Sequence, residues 1–432
     1  MNVDIAAVAA ASLMNGNATT AASATAPGAA PKEKPAAAKA ADKLEEDCLC
    51  TTVVSSSEGG KLRWRDDVKG RGSLLAGNGT FSAVAMTSGE LMLYTDSGRR
   101  RCAGIILPAP LAFLECVSHG DGVSDGSFAS MSNSFLLGIC VNGEMRIWDA
   151  CSPRLLVHDR HGVSRLLAMV ARELETKLTH KLTQAAKKAS SSSSAGANPA
   201  GLASGSRGSA QEAYVPPRVR VTPTISRVFL KAGMTRPTPI IVVEATCAEY
   251  ATTRLVQAFA YNFAMQSWSR VADDRYAHSN FFSLFAQGTS DGVGALASLQ
   301  AACLNAGTYD LNPVKMFGPG KDSVDAQWTE SRAHLEHQLA SALLLESGEE
   351  YKNWLEAYAQ FLADDGRPES VERLREVCSE LLGPPFPTAQ WAPTLLGKRK
   401  HDLLKRVLRA MATNRTLQRV VAEFNDAMRE SL

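Results

Sequence analysis

The C-terminal quarter of this chain constrains it most, because apolar residues there recur at helical spacing, one stripe after another. Tyr351, Trp354, Leu355, Tyr358, Phe361 and Leu362 fall at i, i+3, i+4, i+7, i+10 and i+11, which is one side of a helix with 3.6 residues per turn. Val371, Leu374, Val377, Cys378, Leu381 and Leu382 make a second stripe. Leu403, Leu404, Val407, Leu408 and Met411 make a third, and Leu417, Val420, Val421 and Phe424 a fourth. With Ala333–Leu345 ahead of them, the spacing predicts about five amphipathic helices. Ser347 followed by Glu350 has the form of a capping box. Pro368 sits where a first-turn proline costs no hydrogen bond, and Gly383-Pro384-Pro385 ends the helix before it. Each such helix has one apolar face to bury against the others or against a partner.

The sequence before this region reads as β. Ser82–Met86 and Glu90–Thr95 flank Ser88-Gly89, and Phe135–Val141 and Glu144–Trp148 flank Asn142-Gly143. Asn-Gly between apolar runs predicts a hairpin with a type I′ turn, in which both residues take positive φ. Gly89 to Thr95 lines up with Gly143 to Asp149, so a turn, a strand and an aromatic recur after 54 residues (89 to 143). Trp148-Asp149 closing a strand is the signature of a WD propeller blade; two plain antiparallel hairpins are the alternative. Asp159 to Lys188 is helical in pattern, and Ile225–Lys231, Ile240–Ala245, Ala258–Phe263 and Trp268–Val271 return to β. The fold class expected is α+β: antiparallel β hairpins of WD or propeller-like character, then a C-terminal bundle of amphipathic α-helices.

Two stretches lack the large apolar side chains needed to offset chain entropy. They predict a disordered N-terminus at 1–46 and a disordered Ala/Ser/Gly insertion at 184–214. Between and after them lie a β-rich module at 47–183, a second at 215–325 and a helical assembly module at 326–432. The nine cysteines are an odd, dispersed set that suits a reducing compartment. Net charge is only +2, so no global field attracts nucleic acid or a membrane. No apolar run reaches the length of a membrane helix. The N-terminus lacks the basic-then-apolar order of a secretory signal; its Ala, Ser and Thr content is closer to that of a plastid transit peptide.

No set of residues with catalytic, cofactor-binding or metal-binding spacing emerges. Cys48-Leu49-Cys50 is one residue too tight for a zinc half-site. His334-Leu335-Glu336-His337 places its histidines three apart, where a helical zinc-protease site needs four. Gly318-Pro319-Gly320-Lys321-Asp322 has Asp where a phosphate loop needs a hydroxyl, and a carboxylate there repels phosphate. Asp273-Asp274 and Asp364-Asp365 are adjacent pairs whose side chains diverge, which suits turns and caps. Lys398, Arg399, Lys400, Lys405, Arg406 and Arg409 form a basic cluster. It suits phosphate, an acidic partner or an import signal, or else a solvated face beside Glu372, Glu376 and Glu380; no aromatic is interleaved in it to stack on bases.

Three segments carry a family resemblance. The first holds Leu75-Ala76-Gly77-Asn78-Gly79, Tyr94-Thr95-Asp96-Ser97-Gly98-Arg99-Arg100 and Ile147-Trp148-Asp149. The second holds Arg236-Pro237-Thr238-Pro239-Ile240 and Met265 to Asp273. The third holds His334-Leu335-Glu336, Glu349-Glu350-Tyr351, Trp354-Leu355, Tyr358, Leu374 to Cys378, Leu381 to Pro384 and Arg399-Lys400. In order and spacing they resemble the C-terminal half of the HIRA family of histone chaperone subunits. The resemblance implies a non-enzymatic nuclear scaffold that forms a homo-oligomer, docks a large helical scaffold subunit, meets histones indirectly, and reaches chromatin through the complex. It makes Trp148, Asp149, Trp268, Trp354 and Tyr358 candidate interface residues; for Trp148 and Asp149 the alternative is a core residue and a turn cap. A transcriptional corepressor or adaptor without a histone role is the other functional reading. The family's N-terminal propeller and basic chaperone-binding linker are not visible in this sequence, so a split gene or a truncated gene model is expected.

Overall fold

A computed structural model of the chain describes residues 51–58, 61–118, 134–193, 219–233, 236–250, 253–282, 294–304, 321–384 and 391–430. It divides into two compact units, residues 1–230 with 242–255, and 231–241 with 256–432. The architecture is α+β, with four-stranded antiparallel sheets followed by helices.

In the first unit β1 (Thr51–Glu58) and β2 (Lys61–Lys69) form a hairpin. A sheet follows, in the order β3 (Gly72–Gly77), β4 (Phe81–Met86), β5 (Glu90–Thr95) and β6 (Ile105–Ile106). A second sheet holds β7 (Leu111–Ser118), β8 (Ser134–Cys140), β9 (Met145–Asp149) and β10 (Arg154–Asp159), again with chain neighbours as sheet neighbours. Such up-and-down four-stranded sheets have the local topology of a propeller blade. One core lies between the two sheets. Phe81, Ala83, Ala85, Leu91 and Leu93 enter it from the first, and Leu114, Leu136, Cys140 and Trp148 from the second. The opposite face of the first sheet presents Val84, Met86, Met92 and Tyr94 to Val54, Trp64 and Val68 of the β1–β2 hairpin. Each fully buried large side chain in these layers contributes about 1.5–3 kcal/mol.

The hairpin turns differ from expectation. Gly143 has φ +84 and Gly89 φ +87, but neither Asn142 nor Ser88 has positive φ. The amide of Gly143 donates to Cys140 O and that of Gly89 to Met86 O. These are four-residue turns ended by a left-handed glycine, not two-residue type I′ turns. Gly98 (φ +85), donating to Thr95 O, repeats the pattern. A glycine in the left-handed region carries no Cβ penalty, so one residue type recurs at three corners. The 54-residue repeat is therefore real in its turns but not in its burial. Tyr94 faces the β1–β2 hairpin, while Trp148, its counterpart, faces the core between the sheets.

Helix α1 spans Gly162–Ser193. It takes in the first residues of the stretch 184–214 that composition marked as an insertion; 194–218, like 1–46, lies outside the described residues. Strands β11 (Val221–Lys231), β12 (Thr238–Cys247), β13 (Arg254–Asn262) and β14 (Ser267–Ala272) form a sheet in that order. The middle of β12 and β13 is buried nearly throughout, as their unbroken apolar runs require.

The second unit contains α2 (Ala295–Leu304), α3 (Lys321–Leu344), α4 (Gly348–Asp365), α5 (Pro368–Leu382), α6 (Lys400–Met411) and α7 (Gln418–Glu430). A short hairpin of β15 (Thr394–Leu395) and β16 (Lys398–Arg399) precedes α6. The last five helices are those the stripes predict, although α3 starts earlier and runs across the expected boundary at 325. Helix α4 packs on α3, α5 and α6, burying Trp354, Leu355, Tyr358, Ala359 and Leu362. The capping box does not form: Ser347 makes no side-chain cap bond. The Glu350 carboxylate instead accepts the amides of Leu296 and Ala297, at 3.2 and 2.9 Å. It therefore caps the start of α2, where a negative charge complements the positive end of the helix dipole. Pro368 occupies the first turn of α5 as expected. At its end Gly383 has φ +84, and a Cβ there would lie 2.3 Å from the Trp391 indole. Only glycine fits.

Candidate functional site

Trp148 and Asp149 sit at the corner between β9 and β10. Trp148 is 4% exposed and lies across Gly138, where a Cβ would come within 2.9 Å of its ring. Its indole is a core element of this chain, not an exposed anchor. Asp149 accepts the amides of Cys151 (2.9 Å) and Ser152 (3.3 Å), and the Ser152 hydroxyl also donates to it. The geometry matches the alternative of core residue and turn cap. Arg101 braces the same corner, donating to Cys151 O at 2.9 Å and Thr80 O at 3.1 Å. On the neighbouring strands Glu144, 6% exposed, accepts from Arg146 at 2.7 Å and meets His158 Nε2 at 2.6 Å. Burial alone would raise its pKa; the bonds from Arg146 and His158 outweigh that and hold it below the usual carboxylate value.

Trp354 and Tyr358 are also buried, each 5% exposed. The Tyr358 hydroxyl donates to Glu336 Oε1 at 3.0 Å, which also accepts from Arg373 at 2.9 Å. Burial, then the Glu336 charge, pushes the Tyr358 pKa up. Trp354 meets the His334 ring edge-on, centroids 5.8 Å apart. Both ring nitrogens of His334 are hydrogen-bonded. Gln338 donates to its Nε2 at 3.0 Å, which leaves the Nδ1 proton for Ser279 Oγ at 2.9 Å. Burial lowers its pKa to about 3, so the ring is neutral. The adjacent acids at 273 and 274 do more than shape a turn. Asp273 is 2% exposed and takes Arg270 at 3.1 Å and Arg275 on one oxygen. Burial would raise its pKa, and the two arginines bring it below the ordinary value. Gln300, in α2, donates to the Asp273 carbonyl at 3.3 Å and accepts from Gln338 at 3.4 Å. Sequence spacing could not expose this network, because its members come from three separate elements.

Trp268 is half-buried on β14, opposite Tyr261 in the ladder, and the rings meet edge-on at 5.4 Å. Arg236 lies over Phe263 at 5.8 Å, and Met265 at the hairpin tip is 74% exposed. Of the five candidate interface residues, only Asp149 and Trp268 thus keep part of the side chain accessible.

Three of the six residues of the basic cluster are paired with carboxylates. Lys398 bonds Glu349, Arg406 meets Glu356 at 2.9 Å, and Lys405 meets Asp402 at 3.5 Å. Its acidic neighbours come from α4 and from α6 itself rather than from Glu372, Glu376 and Glu380. Arg399 and Arg409 are exposed. Lys400 lies over the Trp391 ring at 5.0 Å, so the fold supplies an aromatic that the local sequence lacks. Among the described residues no group of three His, Cys, Asp or Glu side chains could hold a metal ion, and no helix is long and apolar enough to cross a membrane. Cys48, Cys50 and residues 318–320 lie outside the described set.

Residues 249–381 match the protein-family model described as "Hira: TUP1-like enhancer of split". Maize (Zea mays) Protein HIRA is 30% identical over 413 residues, 92% of this chain. The chain belongs to the HIRA family. Human Protein HIRA is 34% identical over a shorter stretch of 178 residues, 40% of this chain and 17% of the human protein. The crystal structure of HIRA(644-1017) superposes with a TM-score of 0.52 at 20% identity, covering 88% of each chain. At that identity the likeness establishes the fold. The chain spans about a third of the length of the curated relatives it matches, 34% of the maize and 31% of the rice HIRA protein.

Proposed function

We propose that this chain is a non-enzymatic scaffold subunit of a histone chaperone complex, serving replication-independent nucleosome assembly and transcription regulation in the nucleus. One observation carries the reading: maize Protein HIRA is 30% identical to this chain across 92% of its length. Function in such a fold rests on contacts. The β-rich modules at 47–183 and 215–325 and the helical module at 326–432 offer surfaces for a second copy and for other subunits. Trp268 and Asp149 are the accessible candidates for these contacts. Trp148, Trp354 and Tyr358 shape the surfaces from beneath. The exposed Arg399 and Arg409, with Lys400 and Trp391, suit an acidic partner or nucleic acid phosphate. Contact with histones is indirect, through partner subunits. The test is capture of the tagged full chain from nuclear extract. Recovery of histones together with other chaperone subunits is the expected result; their absence sinks the proposal, and recovery of transcription factors alone favours a corepressor or adaptor.

A further inference from the structure

The β9–β10 corner holds an exposed serine in an uncommon electrostatic setting. Three Ser/Thr-Pro dipeptides occur in the chain: Ser152-Pro153, Thr222-Pro223 and Thr238-Pro239. Thr222 lies within β11 and Thr238 within β12, where the strand ladder occupies the backbone. Ser152 and Pro153 are both exposed and lie in the turn between strands. The Ser152 hydroxyl donates to Asp149, whose other oxygen accepts the Cys151 and Ser152 amides. Beyond the ladder pairing of Asp149 with Arg154, one carboxylate supplies the side-chain bonds to the amides inside the turn. Arg101 reaches the turn at Cys151 O, yet its guanidinium bonds only carbonyls and its Nε has no hydrogen-bond partner. It pairs with no carboxylate among the described residues. Arg154, two residues beyond Ser152, is exposed. Positive charge is thus in place at the turn.

We propose that Ser152 is a phosphorylation site for a proline-directed Ser/Thr kinase, and that the phosphate opens the β9–β10 turn. In the transfer, Ser152 Oγ attacks the γ-phosphorus of ATP. The Oγ–P bond forms, the bond from that phosphorus to ADP breaks, and the hydroxyl proton passes to the kinase's base. Two consequences follow for the turn. The hydrogen that Ser152 gave to Asp149 is gone, and a group of charge about −1.5 to −2 stands beside a carboxylate. Repulsion drives Asp149 off the two amides it caps, while Arg101 and Arg154 take up the phosphate. Strand β10 is the outer strand of its sheet, and losing this turn loosens the end of its ladder with β9. The proposal stands apart from the chaperone reading, since it concerns the chain alone.

The experiment uses the full chain, ATP and a purified proline-directed kinase, with phosphate mapped by mass spectrometry and amide hydrogen exchange read at the corner. Phosphate on Ser152, absent from Ser152→Ala, is expected. Exchange of the Cys151 and Ser152 amides should then rise at least tenfold in the phosphorylated chain. Ser152→Ala, which loses one bond but gains no charge, should shift exchange far less. The proposal is overturned if the folded chain takes no phosphate on Ser152. It is equally overturned if the phosphorylated chain keeps the unmodified exchange rates at these two amides.

Discussion

Trp148 decides how the corner residues are to be tested. Its ring fills the space that Gly138 leaves, so Trp148→Ala creates a cavity between two sheets. Such truncations cost about 3–5 kcal/mol, and urea denaturation followed by circular dichroism should show a loss of that size. Gly138→Ala pushes a methyl to 2.9 Å from the ring and 3.0 Å from Leu111, an overpacking that costs about 1–3 kcal/mol. A loss below about 1 kcal/mol for Trp148→Ala would mean the ring is not core. Any change in assembly seen with that variant reflects a damaged core first. Trp148→Phe, which keeps most of the buried area, and Asp149→Asn are the cleaner probes of contact. Tyr358→Phe removes one bond to Glu336 while leaving Arg373 in place. It should cost about 0.5–1.5 kcal/mol, and an unchanged denaturation midpoint would show that the hydroxyl bond contributes nothing.

Where α3 meets Ser279 and α2, pH enters the stability of the second unit. The folded His334 has its pKa lowered to about 3, against about 6.5 in an unfolded chain. Below pH about 6.5 the unfolded state therefore takes up a proton that the folded state refuses. Stability falls as pH drops from there toward 3, by at most about 1.4 kcal/mol per pH unit from this group. Asp273 acts in a lower window. Its depressed pKa gives stability that is present above about 3.9 and lost as pH falls further. Urea midpoints between pH 4 and 6.5 therefore report His334 together with His337, whose pKa burial also lowers, and a single substitution separates the two. In His334→Gln the dependence across that window should flatten; an unaltered slope would place the effect elsewhere. The same elements show what sequence could tell. The stripes behind α4 to α7 were legible because each helix keeps one face dry, and the hairpins because glycine marks their turns. Helix α2 was not, since Ala295–Leu304 is apolar all round and has no contrasting face to betray its period. Strands β1 and β2 were missed because β1 is mostly Thr and Ser and β2 mostly charged residues, so neither shows an apolar period in the sequence. The Glu350 cap failed as a capping box because its partner amides lie 53 and 54 residues away, a distance no local spacing encodes. The candidate site was the least legible. Whether an aromatic such as Trp148 or Trp354 is core or contact depends on what covers it, which is a property of the fold.

At the scale of the whole molecule, charge is arranged to cancel locally. The chain carries +2 overall. Several cations on its surface have carboxylates close by, as Arg63 does with Asp96, Arg100 with Asp66 and Arg406 with Glu356. Exposed pairs of this kind contribute about 0–1 kcal/mol each and weaken with salt, so they are poor candidates for holding copies together. Apolar groups remain on the surface instead: Leu75 is 72% exposed, Ile106 73% and Met265 74%. A stable interface buries roughly 1,000 Å² or more, which demands patches of this character. If the chain forms the homo-oligomer proposed for it, the contact should be apolar in origin and resistant to ionic strength. Sedimentation equilibrium of the full chain at micromolar concentration should then give a multiple of 46.1 kDa. Raising the salt several-fold should leave that mass unchanged or favour the larger species, because salt screens ion pairs but does not weaken apolar burial. A mass of one chain under both conditions would remove self-assembly from the reading. An oligomer that dissolves as salt rises would move the contact from the apolar residues to the charged ones.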